Sequence, residues 1–173
     1  QVQEMSDAID KGATIITVDP RFSVAASKSK YWLPIKPATD MALLLAWIHV
    51  LVYEEIYNKD YVERYTYGFD LLKEHVRNMT PEWAYGITTI KPDVIRKTAR
   101  EMAGAAPAAI VHPGRHVTWY GDDTQRSRAI AILNALLGSW GQRGGFYFKE
   151  SVKIPDYPHP PYPKPEWSWR ETH

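Results

Sequence analysis

The chain has 173 residues, of which 45% are apolar and 24% charged, as expected for one globular domain with a real core and too short for two. Its formal charge of +1 provides no long-range field to attract an anionic membrane or nucleic acid, and we predict no nucleic-acid partner. The absence of cysteine excludes disulfides, thiolate nucleophiles and cysteine-ligated metal clusters within these residues.

The opening segment, QVQEMSDAID, lacks the apolar stretch of a signal peptide. It is typical of the end of an amphipathic helix whose beginning is missing, and we therefore expect the chain to be a fragment of a larger protein. The longest apolar run, Met41 to Tyr53, contains His49 and is too short to span a bilayer.

Three short segments are predicted to form a sheet. Thr14 to Val18 is continuously β-branched or apolar, as in a parallel strand covered on both faces, and it ends at Asp19-Pro20. In YWLPI, residues 31–35, Pro34 confines a second strand to a sheet edge or a strand end. Residues 108–112, within PAAIVHP, predict a third strand.

Helices are predicted between these strands and after them. Thr39 is a good N-cap for a helix over 40–57, where Asp40 favours the helix start and apolar residues cover nearly the whole circumference, so this helix should be deeply buried. The other predicted helices cover residues 59–65, 69–79, 81–87, 91–104 and 122–141, the last closing near Gly138.

The layout predicts an α/β domain over residues 1–149, with helices inserted between the sheet elements. Residues 150–173 are rich in proline and should form an extended, polyproline-like arm. The histidines show no metal-ligand spacing, so no metal site is predicted within the chain, and His49 is interpreted as a core histidine. Asn134, among aliphatic residues, is predicted to be a buried amide with a local partner.

Two clusters follow predicted strands, where ligands gather in open parallel sheets. After the first strand, the Asp19 carboxylate can accept hydrogen bonds from ribose hydroxyls, and Arg21 can bind phosphate or stack on a base. After the third strand, Gly114 permits close backbone approach, while Arg115 and Trp119 offer a cation and a stacking face. The same patterns also fit a plain surface turn and a loop whose aromatic residues fill the core.

Longer stretches of the sequence carry a family resemblance. IITVDPRFSVAASKSKYWLPIKPATDMALLLAWIHVL resembles the cofactor-binding domain of the molybdopterin oxidoreductases of the dimethyl sulfoxide reductase family. GRHVTWYGDDTQRSRAIAILNALLGSWGQRGGFYF resembles the polysulfide and thiosulfate reductase branch in particular. The resemblance covers about residues 5 to 160 and implies a Rossmann-like, three-layer α/β fold with a parallel sheet.

The resemblance also implies a set of cofactor-binding residues. The guanosine part of a molybdopterin guanine dinucleotide would lie against two turns, formed by Ile16, Thr17, Val18, Asp19, Pro20 and Arg21, and by Ala38, Thr39 and Asp40. The pterin and the metal would lie against a glycine-containing loop that carries Gly114, Arg115 and Trp119.

The same loop is implied to carry the catalytic residues. Many relatives have methionine and glutamine where this chain has Arg115 and Trp119, and the change suggests a cationic pocket for an anionic sulfur substrate. Arg115 would orient polysulfide or thiosulfate and stabilise charge in the two-electron step, and His116 would hydrogen-bond or relay protons.

The family's cofactor would be molybdopterin guanine dinucleotide with molybdenum or tungsten, and its metal ligand and iron–sulfur cysteines belong to upstream segments that this sequence does not contain. The fragment alone is therefore expected to be inactive and to bind no cofactor. The implied partners are the remaining domains of the parent subunit, an iron–sulfur electron-transfer subunit and a membrane anchor subunit. The implied location is peripheral, in the periplasm or on the outer face of the cytoplasmic membrane.

Two other functions remain compatible with the sequence. One is a cofactor-free structural relative within a respiratory membrane complex, which metal and pterin analysis of the full-length protein would identify. The other is a free-standing nucleotide-binding module, which would bind a guanine nucleotide tightly without further domains.

Overall fold

A computed structural model describes residues 2–112, 114, 123–146 and 158. Within these residues, the chain forms eight helices and a small sheet of two strands. The elements are α1 (Val2–Asp10), β1 (Ile16–Val18), α2 (Val24–Lys28), β2 (Tyr31–Leu33), α3 (Asp40–Tyr53), α4 (Lys59–Tyr65), α5 (Phe69–His75), α6 (Pro81–Thr88), α7 (Pro92–Ala105) and α8 (Asp123–Leu136). The predicted arm over residues 150–173 lies, except for Pro158, outside the described residues.

Strands β1 and β2 pair in parallel, which confirms the direction predicted for the sheet. The register places Ile16 opposite Tyr31 and Val18 opposite Leu33. Strand β2 ends at Leu33, two residues before the end of the predicted segment, and Pro34 thus follows the strand end, one of the two placements predicted for it. The residues of β1 are only half-buried, so the strand is less covered than its continuous hydrophobicity suggested.

The prediction of a third strand at residues 108–112 is wrong, because the backbone of this segment hydrogen-bonds to a side chain instead of a strand. The Asn134 side chain on α8 accepts a hydrogen bond from the Val111 N–H and donates one to the Val111 carbonyl, both at 3.0 Å. Its amide also donates to the Ile130 carbonyl at 3.0 Å. Asn134 is thus the buried amide that the sequence predicted, but its main partner is 23 residues away.

Helix α3 forms the centre of the core. Nine of its fourteen residues are buried, and it packs against α6, α7 and α8. At its middle, the Trp47 indole N–H donates to the Thr98 hydroxyl of α7 at 2.9 Å, which satisfies a buried polar pair between two helices. The deep burial predicted for this helix is confirmed, and His49 bonds the Val76 carbonyl through Nδ1 at 2.8 Å, as expected of a core histidine.

Helix α3 ends at Tyr53, four residues before its predicted end at 57. Glu55 adopts a left-handed conformation with φ 55°, and the Ile56 N–H donates to the Leu51 carbonyl at 3.0 Å. The Glu55 N–H donates to the Val52 carbonyl at 3.3 Å, which completes a Schellman motif. The position that usually carries glycine is occupied by glutamate, so residue type does not indicate that the helix stops here.

The remaining predicted helices begin within one residue of their predicted starts. The Asn58 and Thr80 side chains accept hydrogen bonds from the first turns of α4 and α6, and Gly68, with φ 80°, separates α4 from α5. Gly138, with φ 65°, follows α8, as predicted for a helix stop. The five-residue helix α2 was not predicted, because it is too short to show a helical period.

Salt bridges join α7 to its surroundings. The Arg100 guanidinium binds the Glu54 carboxylate through two hydrogen bonds of 2.7 and 2.8 Å, and Lys30 Nζ lies 2.6 Å from Glu101 Oε1. The hydrogen bonds from Arg100 and Lys30 lower the pKa of Glu54 and of Glu101, respectively, below the ordinary value of 4.5.

These pairs should make the stability of the fold sensitive to acid. Because each folded-state pKa lies below its unfolded value, the stabilisation is complete above the unfolded pKa and is lost as the pH falls through the folded pKa. Glu54→Gln is therefore expected to cost less than about 1 kcal/mol at neutral pH and to flatten the decline of the unfolding free energy between about pH 5 and pH 3. Urea unfolding over this pH range measures the slope. Glu63→Gln, at an exposed site with no ion pair among the described residues, is the control, and an equal slope in all three proteins would contradict the prediction.

Within the described residues, no helix combines the length and the apolar character that crossing a membrane requires.

Candidate functional site

The candidate site begins with the turn that follows β1. The Asp19 N–H donates to the Leu33 carbonyl at 3.2 Å, so this residue lies at the carboxyl end of the two-stranded sheet. One oxygen of its carboxylate accepts the Arg21 N–H at 2.9 Å, which closes a tight Asx turn. The Arg21 side chain is exposed and forms no ion pair with any residue that the structure describes. The turn therefore holds a fixed carboxylate beside an available guanidinium.

Two aromatic residues that were not predicted as site residues hold this turn in place. The Trp32 indole N–H donates to the Asp19 carbonyl at 2.8 Å. The Phe22 ring meets the Trp32 ring edge to face, with 4.8 Å between centroids and 67° between planes. The alternation of β2 offered the only sequence signal, because Trp32 lies on the opposite face of the strand from buried Leu33.

The three residues of β1 predicted to bind a cofactor have their side chains engaged within the fold. The Thr17 hydroxyl bonds the Ser29 hydroxyl, which in turn donates to the Ala25 carbonyl at 2.7 Å. Ile16 and Val18 pack against the hydrophobic core. The side chains of these residues therefore support the turn, and only their backbone N–H and carbonyl groups are available to bind a ligand. Pro20, within the turn, is exposed.

The second predicted turn leads into α3. Ala38 adopts a left-handed conformation with φ 63°, and Asp40 is the first residue of the helix. Thr39 occupies the N-cap position, but its hydroxyl donates to the Lys36 carbonyl at 2.6 Å and makes no capping bond to α3. The predicted cap is wrong because Thr39, with φ −113° and ψ 14°, lacks the extended backbone that capping requires. The Asp40 carboxylate still lies at the positive end of a fourteen-residue helix.

Both predicted turns follow strands that end at the same edge of the sheet. Strands β1 and β2 run in parallel, so both end at the edge where Asp19 bonds Leu33. The connection that carries Ala38, Thr39 and Asp40 starts at that same edge, directly after β2.

The third predicted element is described only in part. Gly114 is exposed, has φ 71°, and donates its N–H to His112 Nδ1 at 2.9 Å, so the chain turns there in a conformation that favours glycine. Arg115, His116 and Trp119 lie outside the described residues, and their roles stay predictions. No group of three or more histidine, aspartate or glutamate residues suited to a metal ion occurs in the part of the chain that the structure describes.

The arrangement is suited to a nucleotide. The Asp19 carboxylate has a second oxygen, outside the Asx turn, that can accept hydrogen bonds from ribose hydroxyls or a base edge. The Arg21 guanidinium, which has no ion pair among the described residues, can bind phosphate or stack on a base. Both groups project from the carboxyl end of parallel strands, where ligands of α/β sheets are usually bound.

Comparison with known proteins gives consistent matches. Residues 1–153 match the family model described as molybdopterin oxidoreductase. The chain is 41% identical over 151 residues to the thiosulfate reductase molybdopterin-containing subunit of Salmonella typhimurium, an alignment that covers 87% of this chain and 20% of that protein. It is 32% identical over 168 residues to the arsenate respiratory reductase molybdopterin-containing subunit of a Shewanella species, covering 84% of this chain and 20% of that protein.

A solved structure shows the same fold. Acetylene hydratase from Pelobacter acetylenicus matches with a TM-score of 0.77 and 32% sequence identity, covering 80% of this chain and 19% of that one. The chain thus spans about one fifth of the length of these proteins.

Proposed function

Because this chain belongs to the molybdopterin oxidoreductase family, we propose that it is part of the catalytic subunit of a molybdenum enzyme that reduces an inorganic sulfur anion such as thiosulfate or polysulfide. The family membership supports the cofactor class, and the 41% identity to a thiosulfate reductase subunit supports the substrate class. The structural observation that carries the proposal is the Asp19–Arg21 turn at the carboxyl end of the parallel strands.

The donor set of the described residues fits the nucleotide end of such a cofactor. Asp19 would accept hydrogen bonds from the ribose hydroxyls, and Arg21 would bind the phosphates or stack on the base. Asp40 would pair with the N–H edge of guanine, and the backbone of Ile16 to Pro20 and of Ala38 to Thr39 would line the remaining surface. This assignment makes the bound form a molybdopterin guanine dinucleotide.

The loop after Gly114 would form one wall of the active pocket. The molybdenum of the bound cofactor would supply the two-electron redox chemistry. Arg115 would bind and orient the anionic substrate, and His116 would hold or pass on a proton near neutral pH. Trp119 would lie against the pterin.

We further propose that the sheet becomes a Rossmann-like, three-layer structure in the full-length protein. The Asp19 and Tyr31 N–H groups donate to Leu33 and Ile15, so residues 15, 17 and 19 face β2, and the backbone groups of Ile16 and Val18 face away from it. These backbone groups have no partner among the described residues, although the strand is half-buried. A parallel strand from another part of the parent protein would satisfy them.

The isolated chain would be inactive and bind no cofactor, since it spans about a fifth of its relatives. Its partners would be the remaining domains of the parent subunit, an iron–sulfur subunit and a membrane anchor subunit, with an iron–sulfur cluster held by a segment outside these 173 residues. The complex would lie in the periplasm or on the outer face of the cytoplasmic membrane.

Cofactor analysis of the full-length protein tests the proposal. Metal (molybdenum or tungsten), pterin and guanine are expected in a ratio of about 1:2:2, because the proposed cofactor is a bis(molybdopterin guanine dinucleotide) with one metal held by two dinucleotides. Reduction of thiosulfate or polysulfide by a suitable electron donor is expected as well. A folded full-length protein without metal and pterin would contradict the proposal and indicate a cofactor-free structural subunit. Tight binding of a guanine nucleotide by the 173-residue chain alone would indicate a free-standing nucleotide-binding module.

Asp19→Asn in the full-length protein is expected to weaken nucleotide retention about tenfold, because one charge-assisted hydrogen bond becomes a neutral one. The rate at which guanine nucleotide is released in dilute denaturant measures this change. Asp10→Asn, at the exposed end of α1, is the matched control. Equal release from the two variants would exclude Asp19 as a nucleotide ligand.

A further inference from the structure

The proposed nucleotide-binding turn, residues 19–22, is held in place by Trp32, an uncharged aromatic residue that lies outside the turn. Trp32 belongs to β2, whereas Asp19 and Arg21 belong to the turn after β1, so the contact between them crosses from one strand to the other. The indole N–H lies 2.8 Å from the Asp19 carbonyl, which is the geometry of a good hydrogen bond.

The same indole also holds the far end of the turn. Phe22, one residue after Arg21, packs edge-on against the Trp32 ring at 4.8 Å. The turn is therefore fixed by Trp32 at both ends and by the Asp19 carboxylate across its middle, where that group accepts the Arg21 N–H at 2.9 Å. These three contacts use the backbone, one carboxylate oxygen and the aromatic rings. They leave the Arg21 guanidinium without a partner among the described residues.

We infer that Trp32 is a positioning residue, which holds Asp19 and Arg21 in the arrangement that binds the guanine nucleotide. The inference rests on the proposed function and extends it to a residue that donates nothing to the nucleotide itself. A turn that is already ordered loses less conformational entropy when the ligand binds, so the affinity rises without any new contact.

The test removes the N–H donor and leaves the nucleotide ligands in place. In the full-length protein, Trp32→Phe keeps an aromatic ring beside Phe22 but cannot donate to Asp19. Replacing Trp32 with 3-benzothienylalanine keeps the bicyclic shape and removes only the donor. It therefore answers the question even if the phenylalanine variant folds poorly. Trp83→Phe is the matched control, because Trp83 is 38% exposed against 37% for Trp32 and its indole has no hydrogen-bond partner among the described residues.

Two readouts separate positioning from general stability. Guanine nucleotide release in dilute denaturant should become about two- to tenfold faster in both Trp32 variants, as expected for one lost hydrogen bond. Hydrogen exchange of the peptide that carries residues 19–23 should accelerate, while exchange in α3 and the thermal midpoint stay as in the wild type. The Trp83 variant should match the wild type in every measurement.

The outcomes are distinguishable. A nucleotide-loaded wild type whose release rate is unchanged in both Trp32 variants would overturn this inference alone. Faster release that is accompanied by an equal loss of protection in α3 would also overturn it, because Trp32 would then be purely structural. A wild-type protein without guanine nucleotide would overturn the proposed function, and the inference with it.

Discussion

Replacing Asn134 with leucine is expected to lower the free energy of unfolding by about 3 kcal/mol. The side chain is buried in α8 and satisfies both backbone groups of Val111, and leucine would leave that N–H and carbonyl without partners. Each buried polar group left unpaired costs about 1–3 kcal/mol, which outweighs the gain from a more apolar side chain.

Urea unfolding of the 173-residue chain measures this effect. Asn78→Leu, at an exposed position, is the matched control and should change the unfolding free energy by no more than about 0.5 kcal/mol. Hydrogen exchange should show that residues 109–112 lose protection in the Asn134 variant well before α3 does. A loss below about 1 kcal/mol would show that Val111 finds other partners and that Asn134 does not replace a neighbouring strand.

Arg115→Ala in the full-length enzyme is expected to lower kcat/KM for thiosulfate or polysulfide by about a hundredfold or more, while metal and pterin content stay unchanged. The proposed role is to bind an anionic substrate and to stabilise charge that develops during its reduction. Cations or donors aimed at developing charge contribute factors of about 10²–10³ to turnover.

The charge and the shape of Arg115 can be tested separately. Arg115→Lys keeps the charge but loses the planar, two-pronged donor set, so it should recover only part of the activity. Arg143→Ala, which removes an exposed cation in the segment after α8, should leave the kinetics unchanged. Wild-type kinetics in the Arg115→Ala variant would remove this residue from the mechanism.

The sequence predicted the elements that depend on local pattern. Continuous β-branched residues placed β1, Pro34 marked the end of β2, and the apolar circumference of the third helix predicted its burial. The sequence-based predictions were wrong where the structure depends on backbone conformations that residue type does not indicate. Glu55 stops α3 in a position usually given to glycine, and the backbone angles of Thr39 turn its hydroxyl away from the helix that it should have capped.

The prediction of a strand at residues 108–112 was wrong for a different reason. Their apolar character correctly indicated contact with the core, and Ala109 and Val111 do pack there. A segment forms a strand, however, only when its backbone hydrogen-bonds to another strand. In the described structure, the backbone of Val111 instead bonds the side-chain amide of Asn134 on α8. No periodicity within the segment could show which group, 23 residues away, would take its hydrogen bonds.

The candidate site was predictable to a similar extent. Asp19 and Arg21 were predicted at a strand end because they directly follow a β-branched run that stops at Asp19-Pro20, and β1 does end at Val18. The bond from Trp32 to the Asp19 carbonyl was not predictable, because it depends on the register between β1 and β2.

The burial of α3 by α6, α7 and α8 gives the parts of the domain different local stabilities. A helix with nine of its fourteen residues buried resists local opening, whereas a three-residue strand with one edge unpaired among the described residues opens at little cost. The proposed nucleotide surface would thus combine a rigid part, the start of α3 at Asp40, with a less stable part, the turn after β1. Binding of the proposed nucleotide is then expected to order the turn after β1 and to leave α3 unchanged.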